Sequence, residues 1–417
     1  MKTKLITIFI SCISTPYLQA SDLSYFLELG VKNNPSHLIR IKELEKSQNT
    51  LKMRYSIFLP TLDAEFSESK TKRNDQMENS SEAKLNMDLN LYNGGADSKK
   101  VSIAKLNIKM SKENMRRELS DIVYHVKQEY FNTIYATELK SLLLTIVARR
   151  EKQFNFIHMR FEGGREDKGN YLLAKVKLKK AKLEVTHGQR LFDNSIKKLA
   201  NNIGLSVQML KQPEGSLQKY INFSKDYFRQ DFTKEIKNVP EILIANYEVA
   251  IAKNNTSVAR AAFLPKVELN SSIGKTGVTY NDLDTNSTSI GITVKIPLFS
   301  GGSDIYNTKN AKLERINKEH WQRKSEINLI TKITEAKNSF SDSLENMELQ
   351  QDILEASKIR AKVASGKYTA GLMDYTTWDL IQEELINNEK NMLTALKLTL
   401  LEKAKLDNIL GIGVAHE

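Results

Sequence analysis

The sequence predicts a mainly α-helical chain, built twice over, that carries two amphipathic β-hairpins. Three observations predict it. Short motifs recur at an almost constant offset, two very long segments lack proline, and four short segments alternate apolar with polar residues.

The repeat organises everything else. Asn34-Pro35 recurs as Val239-Pro240 and Phe58-Leu59-Pro60 as Phe263-Leu264-Pro265, at offsets of 240 − 35 = 205 and 265 − 60 = 205. Leu91-Tyr92-Asn93-Gly94-Gly95 recurs as Leu298-Phe299-Ser300-Gly301-Gly302, and Phe161-Glu162-Gly163-Gly164 as Tyr368-Thr369-Ala370-Gly371, at 301 − 94 = 207 and 371 − 164 = 207. Agreement in order and spacing marks two structural copies. They occupy residues 21–215 and 226–411, with a join around Gln212-Pro213-Glu214-Gly215-Ser216, a linker at 216–225 and a tail at 412–417.

Each copy follows one order of elements. A helix of about 24 residues runs from the Asn-Pro or Val-Pro to the Leu-Pro, because proline is accepted at a helix start and ends a helix further on. Two strands of 8 to 10 residues follow. In the first copy Leu62, Ala64 and Phe66 alternate with Asp63, Glu65 and Ser67, then Leu85, Met87, Leu89 and Leu91 with Asn86, Asp88 and Asn90. In the second, Val267 and Leu269 alternate with Glu268 and Asn270, then Ile290, Ile292, Val294 and Ile296 with Gly291, Thr293 and Lys295. Period two with one apolar face fits either a half-buried sheet or a lipid-facing barrel wall with a wet lumen. Strands of this length cross a bilayer at a tilt. Four cannot close a barrel, so in lipid the chain would have to pool strands with copies of itself, eight in a dimer or 3 × 4 = 12 in a trimer.

From Asp97 to about Arg160, and from Asp304 to about Ser365, no proline interrupts the chain. Each segment predicts a helix of roughly 90 Å at 1.5 Å per residue, followed by a glycine-marked turn and a second helix of about 34 residues. Apolar residues at steps of three and four, such as Trp378, Ile381, Leu385, Met392 and Leu396, or Leu172, Val176 and Leu183 with Lys179 among them, suit lateral packing in an extended coiled assembly.

Composition narrows the function classes. The 417 residues include only 7 Pro and 18 Gly, against a charged fraction of 27% that suits long water-facing helices. The net charge of +12 is spread among 50 acidic residues with no compact basic patch, which argues against nucleic acid. Met1-Lys2-Thr3-Lys4, the apolar run Leu5 to Ile13 and the small residue Ala20 predict a signal peptide over 1–20, cleaved after Ala20. Cys12, the one cysteine, would be a lipid acceptor under the alternative cleavage; otherwise the mature chain has no thiol. His37, His125, His158, His187, His320 and His416 show no ligand-pair spacing, and the Gly-Gly pairs lack the Lys-Ser or Lys-Thr of a phosphate loop. No metal, cofactor or catalytic constellation is expected, and the chain is read as a non-enzyme.

Taken in order, the repeat, the Leu-Pro before each first strand, the Gly-Gly leaving each second strand and the aromatic-x-x-Gly turns resemble the TolC-like outer-membrane efflux proteins over nearly all of the mature chain. That resemblance implies a mainly α fold with a transmembrane β-barrel portion: three protomers share a 12-stranded barrel, and their long antiparallel helices form an α-barrel tunnel through the periplasm. It implies the exit duct of a tripartite efflux or type I secretion system in a Gram-negative outer membrane. The implied partners are a homotrimer, outer-membrane lipid, a periplasmic adaptor (membrane fusion) protein and an inner-membrane pump of ABC, RND or MFS type. The rival class is a periplasmic coiled-coil scaffold or adaptor.

By the same resemblance Phe161, Gly164, Tyr368 and Gly371 mark the periplasmic tip that meets the adaptor, and Gly94, Gly95, Gly301 and Gly302 form the strand-to-helix turns. Asn170 and Thr377 stand where the family often has an acid, which puts an acidic gate at those positions in doubt. Asp167 and Asp374, equivalent at the 207 offset, would form another acid ring or cap the next helices. Tyr375 would plug a closed tip or pack between helices. Candidate gate residues are therefore Asp167, Asn170, Asp374, Tyr375 and Thr377.

Overall fold

The computed structural model describes residues 22–73, 76–223 and 236–412. The signal peptide at 1–20, its cleavage after Ala20, Cys12, positions 224–225 of the linker and 413–417 of the tail lie outside the described residues.

The first copy comprises α1 (Leu23–Asn33), α2 (Pro35–Tyr55), β1 (Thr61–Arg73), β2 (Gln76–Asn93), α3 (Ala96–Glu162) and α4 (Lys168–Ile203). The second comprises α5 (Pro240–Arg260), β3 (Lys266–Gly277), β4 (Thr285–Lys295), α6 (Ser303–Thr369) and α7 (Tyr375–Leu410). Equivalent helices agree in length: α2 and α5 have 21 residues, α3 and α6 have 67, and α4 and α7 have 36. Sixty-seven residues make a helix of about 100 Å, longer than the proline-free span alone predicted. None of the described helices is long and apolar enough to cross a membrane.

Prolines set the boundaries as expected. Pro240 sits in the first turn of α5, where its missing N–H costs nothing. Short 3-10 turns at Ser56–Phe58 and Ala261–Phe263 end α2 and α5 just before Pro60 and Pro265.

The four strands form one antiparallel sheet in the order β1-β2-β3-β4. The register brings the apolar residues onto one face: Leu62 faces Met87, Ala64 faces Leu85, Leu89 faces Leu269, and Leu269 in turn faces Ile292. Opposite them the polar face is knitted across strands. Asn86 donates to Asp63 at 2.9 Å, Asn270 to Asp88 at 2.6 Å and Thr293 to Asn270 at 3.2 Å.

Two expectations need correction. The strands run to 13, 18, 12 and 11 residues, not 8 to 10. Beyond the apolar band β1 and β2 continue through polar residues such as Ser69 facing Ser80, paired through the backbone. Leu91 does not continue the alternation of Leu85, Met87 and Leu89. A bulge between Asn90 and Tyr92 inserts one residue, so Tyr92 faces Val267 in its place.

By compactness the chain divides across the repeat. One unit holds residues up to 34, 125–223 and 342–402; the other holds 35–124, 224–341 and 403–417, including the sheet. In the first unit α4 buries Ala174, Ala181, Gly188 and Ser195 at seven-residue steps, small residues that let it lie close to its neighbours in coiled-coil fashion. The join and the start of the linker are ordered there. Tyr130 donates to the carbonyl of Glu214 at 2.8 Å and packs edge-on against Tyr220, while the Leu217 N–H donates to Glu138 at 2.9 Å. Burial pushes the Glu138 carboxyl above the usual carboxylate range, opposed by that N–H.

Candidate functional site

The expected tip lies in the first unit, where α3 turns into α4 and α6 into α7. Both turns are built alike. Gly164 and Gly371 adopt φ of 68° and 76°, a region closed to most side chains. The Arg165 N–H donates back to the Arg160 carbonyl at 2.8 Å and the Gly164 N–H to Phe161 at 3.0 Å. In the second copy Leu372 donates to Lys367 at 2.8 Å and Gly371 to Tyr368 at 3.1 Å. This paired bonding satisfies the last carbonyls of each long helix while reversing the chain.

Next comes a capping aspartate. Asp167 accepts from the Asn170 N–H at 2.9 Å, and Asp374 from the Thr377 N–H at 2.9 Å. Asn170 and Thr377 then reach back with their side chains to the same carboxylates, at 2.6 and 2.7 Å. The four residues thus form two equivalent clasps at the starts of α4 and α7. These hydrogen bonds hold the Asp374 carboxyl below the usual carboxylate range, the Thr377 backbone N–H first among them. The sign follows: the clasp is fully present above the ordinary carboxylate value of about 3.9 and is lost as pH falls through the lowered one. Amide exchange at Thr377 should therefore lose protection only in strong acid, and an Asp374→Asn variant should show no such acid step; an unchanged step in the variant would assign it to another group.

The two turns are tied to each other. Tyr368 on α6 donates to Glu166 of the first turn at 2.7 Å, and Arg160 lies over the Tyr368 ring at 5.1 Å. The aromatic pairing obeys the repeat: Phe161 stacks on Tyr171 with centroids 5.0 Å apart, and Tyr368 on Trp378 at 4.5 Å. Tyr375 packs against Trp378 at 5.9 Å inside a cluster with Ile157, Ala361 and Ile381. Burial raises the hydroxyl pKa of both Tyr368 and Tyr375. Tyr368 is only 2% exposed, so it lies beneath the surface of the turns, whereas Leu372 is 76% exposed on it.

Above the turns lies a charged cluster that sequence reading missed. Arg150 of α3 bonds Asp379 of α7 at 3.1 Å and also Glu383; Lys177 of α4 bonds Asp379 and approaches Glu383 at 3.6 Å. Arg150 and Asp379 are 5% and 4% exposed. Two cations and two anions therefore hold three helices with no net charge. Nothing local in the sequence marks this, because Arg150 and Asp379 stand 229 positions apart. Tyr171 and Glu166 were also missed; the 207 offset, which maps Tyr171 onto Trp378, would have found the first.

At the sheet end Gly94, Gly95, Gly301 and Gly302 take φ of 58°, 76°, 64° and 83° in the turns that precede α3 and α6. They lie in the unit that holds the sheet, apart from the tip residues in chain grouping.

An antiparallel sheet whose apolar face is exposed, in a chain with two 67-residue helices, is the architecture of the outer membrane efflux protein family. The chain belongs to the outer membrane efflux protein family, whose model matches residues 31–205 and 233–412. It is 21% identical over 305 residues to the alkaline protease secretion protein AprF of Pseudomonas aeruginosa, a match covering 72% of this chain and 61% of that protein. It is 28% identical over 182 residues to SilC of Salmonella typhimurium, described as a probable outer membrane lipoprotein, covering 38% of each. The matches thus span from about two fifths to three fifths of those relatives' length. The fold is that of the Vibrio cholerae outer membrane protein VceC, with a TM-score of 0.82 over 93% of this chain and 96% of that one at 17% identity.

Proposed function

We propose that this chain is the outer-membrane exit duct of a tripartite efflux or type I secretion system. Three copies close a 12-stranded barrel, and their helices form a tunnel in the periplasm. One observation carries the reading. Among the described residues the sheet is open at β1 and β4, while Leu62, Ile290 and Ile292 stand exposed on its apolar face. In lipid an open edge leaves backbone groups unpaired. Four strands from each of three copies supply both the closure and the wet polar lumen.

Conduction is passive: the Asp63, Asn86 and Asp88 face offers water and polar cargo a path, and an inner-membrane pump supplies the energy. The adaptor meets the tip at Gly164, Gly371 and Leu372, with Phe161 and Tyr368 stacked beneath. The gate opens by parting the two turns, against the Tyr368–Glu166 bond, while the Asp167–Asn170 and Asp374–Thr377 clasps hold the start of each following helix. AprF and SilC carry two kinds of name, protease secretion and outer-membrane lipoprotein, and cargo class is set by the pump.

Single-channel conductance and oligomer mass of detergent-extracted protein test the reading, for wild type and Asp374→Ala. Trimers with discrete openings are expected, with conductance or cation preference altered in the variant because a carboxylate is gone from the turn. Soluble monomers without conductance would instead make the chain a periplasmic scaffold.

A further inference from the structure

The apolar face of the sheet ends in a cleft with a basic rim. Beyond β3 the segment at 278–284 folds back over that face. A Cβ at Gly277 would run into the Asp282 carbonyl, and the Tyr280 ring lies 6.5 Å from Phe66 of β1, two strands away. Between segment and sheet lies a cavity of about 430 Å³, walled by Phe66, Ala83, Leu85, Ile273 and Leu283; sites for small ligands span roughly 300–1,000 Å³. Lys275 joins the wall two residues beyond Ile273, about 7 Å further along the strand.

Register sorts the charges of the strands by face. Phe66 faces Ala83 and Ala83 faces Lys275, which puts Lys275 on the apolar side; the same alternation puts Glu68, Lys70 and Lys72 there. Within the described strands that face therefore carries three cations and one anion, all beyond the apolar band. The opposite face of the same stretch carries Glu65, Glu78 and Glu82, with Lys84 held by Glu65 and Glu82 at 3.2 and 3.3 Å. A strand end that needed only solubility would be served by either sign on either face. Lys70 and Lys275 are exposed and have no acidic partner among the described residues. The acids of the folded-back segment are engaged elsewhere, Asp282 accepting from Thr279 at 2.8 Å and Asp284 from Thr285 at 3.1 Å.

The strands join the long helices at their other ends, near Gly94 and Gly302. With the helices in the periplasm, the cleft and its lysines stand at the level of the outer leaflet, where a lipid-facing lysine costs little and its stem can reach outward to headgroups. Phe66 and Tyr280 add the aromatic pair expected at that level.

We propose that this cleft seats an acyl chain of a phosphorylated glycolipid of the outer leaflet, while Lys275 and Lys70 bind its phosphates. An apolar cavity with cations just beyond it fits a molecule that joins acyl chains to phosphate. Cations spread from β1 to β3 favour a headgroup with more than one phosphate over a simple glycerophospholipid.

The site rests on the proposed duct, which sets the direction of the sheet, and the test separates the two. Wild type and a Lys70→Gln, Lys275→Gln variant are extracted from outer membranes in mild detergent, and the lipid carried with each is measured by mass spectrometry. Phosphorylated glycolipid bound to the wild type should fall several-fold in the variant. It should fall likewise in Ile273→Trp, which fills the cleft and leaves both lysines, with trimer mass and conductance unchanged in both. Delipidated wild type should take up the glycolipid from neutral phosphatidylcholine vesicles in preference to phosphatidylglycerol presented in the same way. Equal retention by wild type and the lysine variant, or equal uptake of the two lipids, with conductance intact, would overturn the site and leave the duct standing. Monomers without conductance would sink both.

Discussion

Replacing Arg150 by alanine is expected to cost about 3–5 kcal/mol of fold stability, the range for breaking a buried ion pair. The guanidinium answers two carboxylates at once, Asp379 at 3.1 Å and Glu383, and also donates to Gln153 at 2.9 Å. Without it Asp379, 4% exposed, and Glu383 face Lys177 alone, so two anions share one cation away from water. Most of the cost is the stranded charge. Glu383 keeps its side chain 31% exposed, which lets water answer part of it and places the effect toward 3 rather than 5. An Arg150→Met, Asp379→Leu, Glu383→Gln variant leaves only the Lys177 cation, 21% exposed, and should recover much of the loss. Thermal unfolding of the extracted protein, read by helical circular dichroism, distinguishes the cases; equal melting of wild type and Arg150→Ala would mean that the cluster is solvated and weak.

The contrast between that cluster and the turns explains what the sequence made legible. The turns are local: an aromatic, a glycine three places on, an aspartate after it. Local grammar survives duplication, so Gly164 and Gly371 stood out from their spacing alone. Asp167 and Asp374 were left between a gate ring and a cap, and the bonds from Asn170 and Thr377 show capping geometry. The bulge at Leu91 was invisible because Leu91 and Tyr92 are both apolar, and period two cannot tell which of them holds register. The outer ends of the strands were silent for the opposite reason: Glu68, Ser69, Asn79 and Ser80 pair through backbone with no apolar face to betray it. The ion cluster depends on three helices meeting, which no window along the chain contains.

Gly94→Ala should be the most damaging single-methyl change among the four glycines of the strand-to-helix turns, about 3 kcal/mol, although its neighbour looks identical in the sequence. Two costs add. The residue holds φ at 58°, where a Cβ costs roughly 1–2 kcal/mol. The added Cβ would also sit 2.6 Å from the Ala261 carbonyl oxygen and 3.0 Å from the Leu264 Cβ, an overpacking of order 1–3 kcal/mol. Backbone cannot yield easily there, because the Gly94 N–H donates to the Pro265 carbonyl at 3.2 Å and so fixes the turn against the start of β3. Gly95 has φ of 76° and a Cβ there would meet nothing within 4 Å; Gly301 has φ of 64° with equally open space. Alanine at either should cost only the backbone strain, roughly 1–2 kcal/mol. The amount of heat-resistant assembled protein recovered from membranes should accordingly fall steeply for Gly94→Ala and modestly for Gly95→Ala and Gly301→Ala. Equal losses at all three would show that left-handed backbone, and not the approach of Ala261, sets the requirement for glycine at the turn.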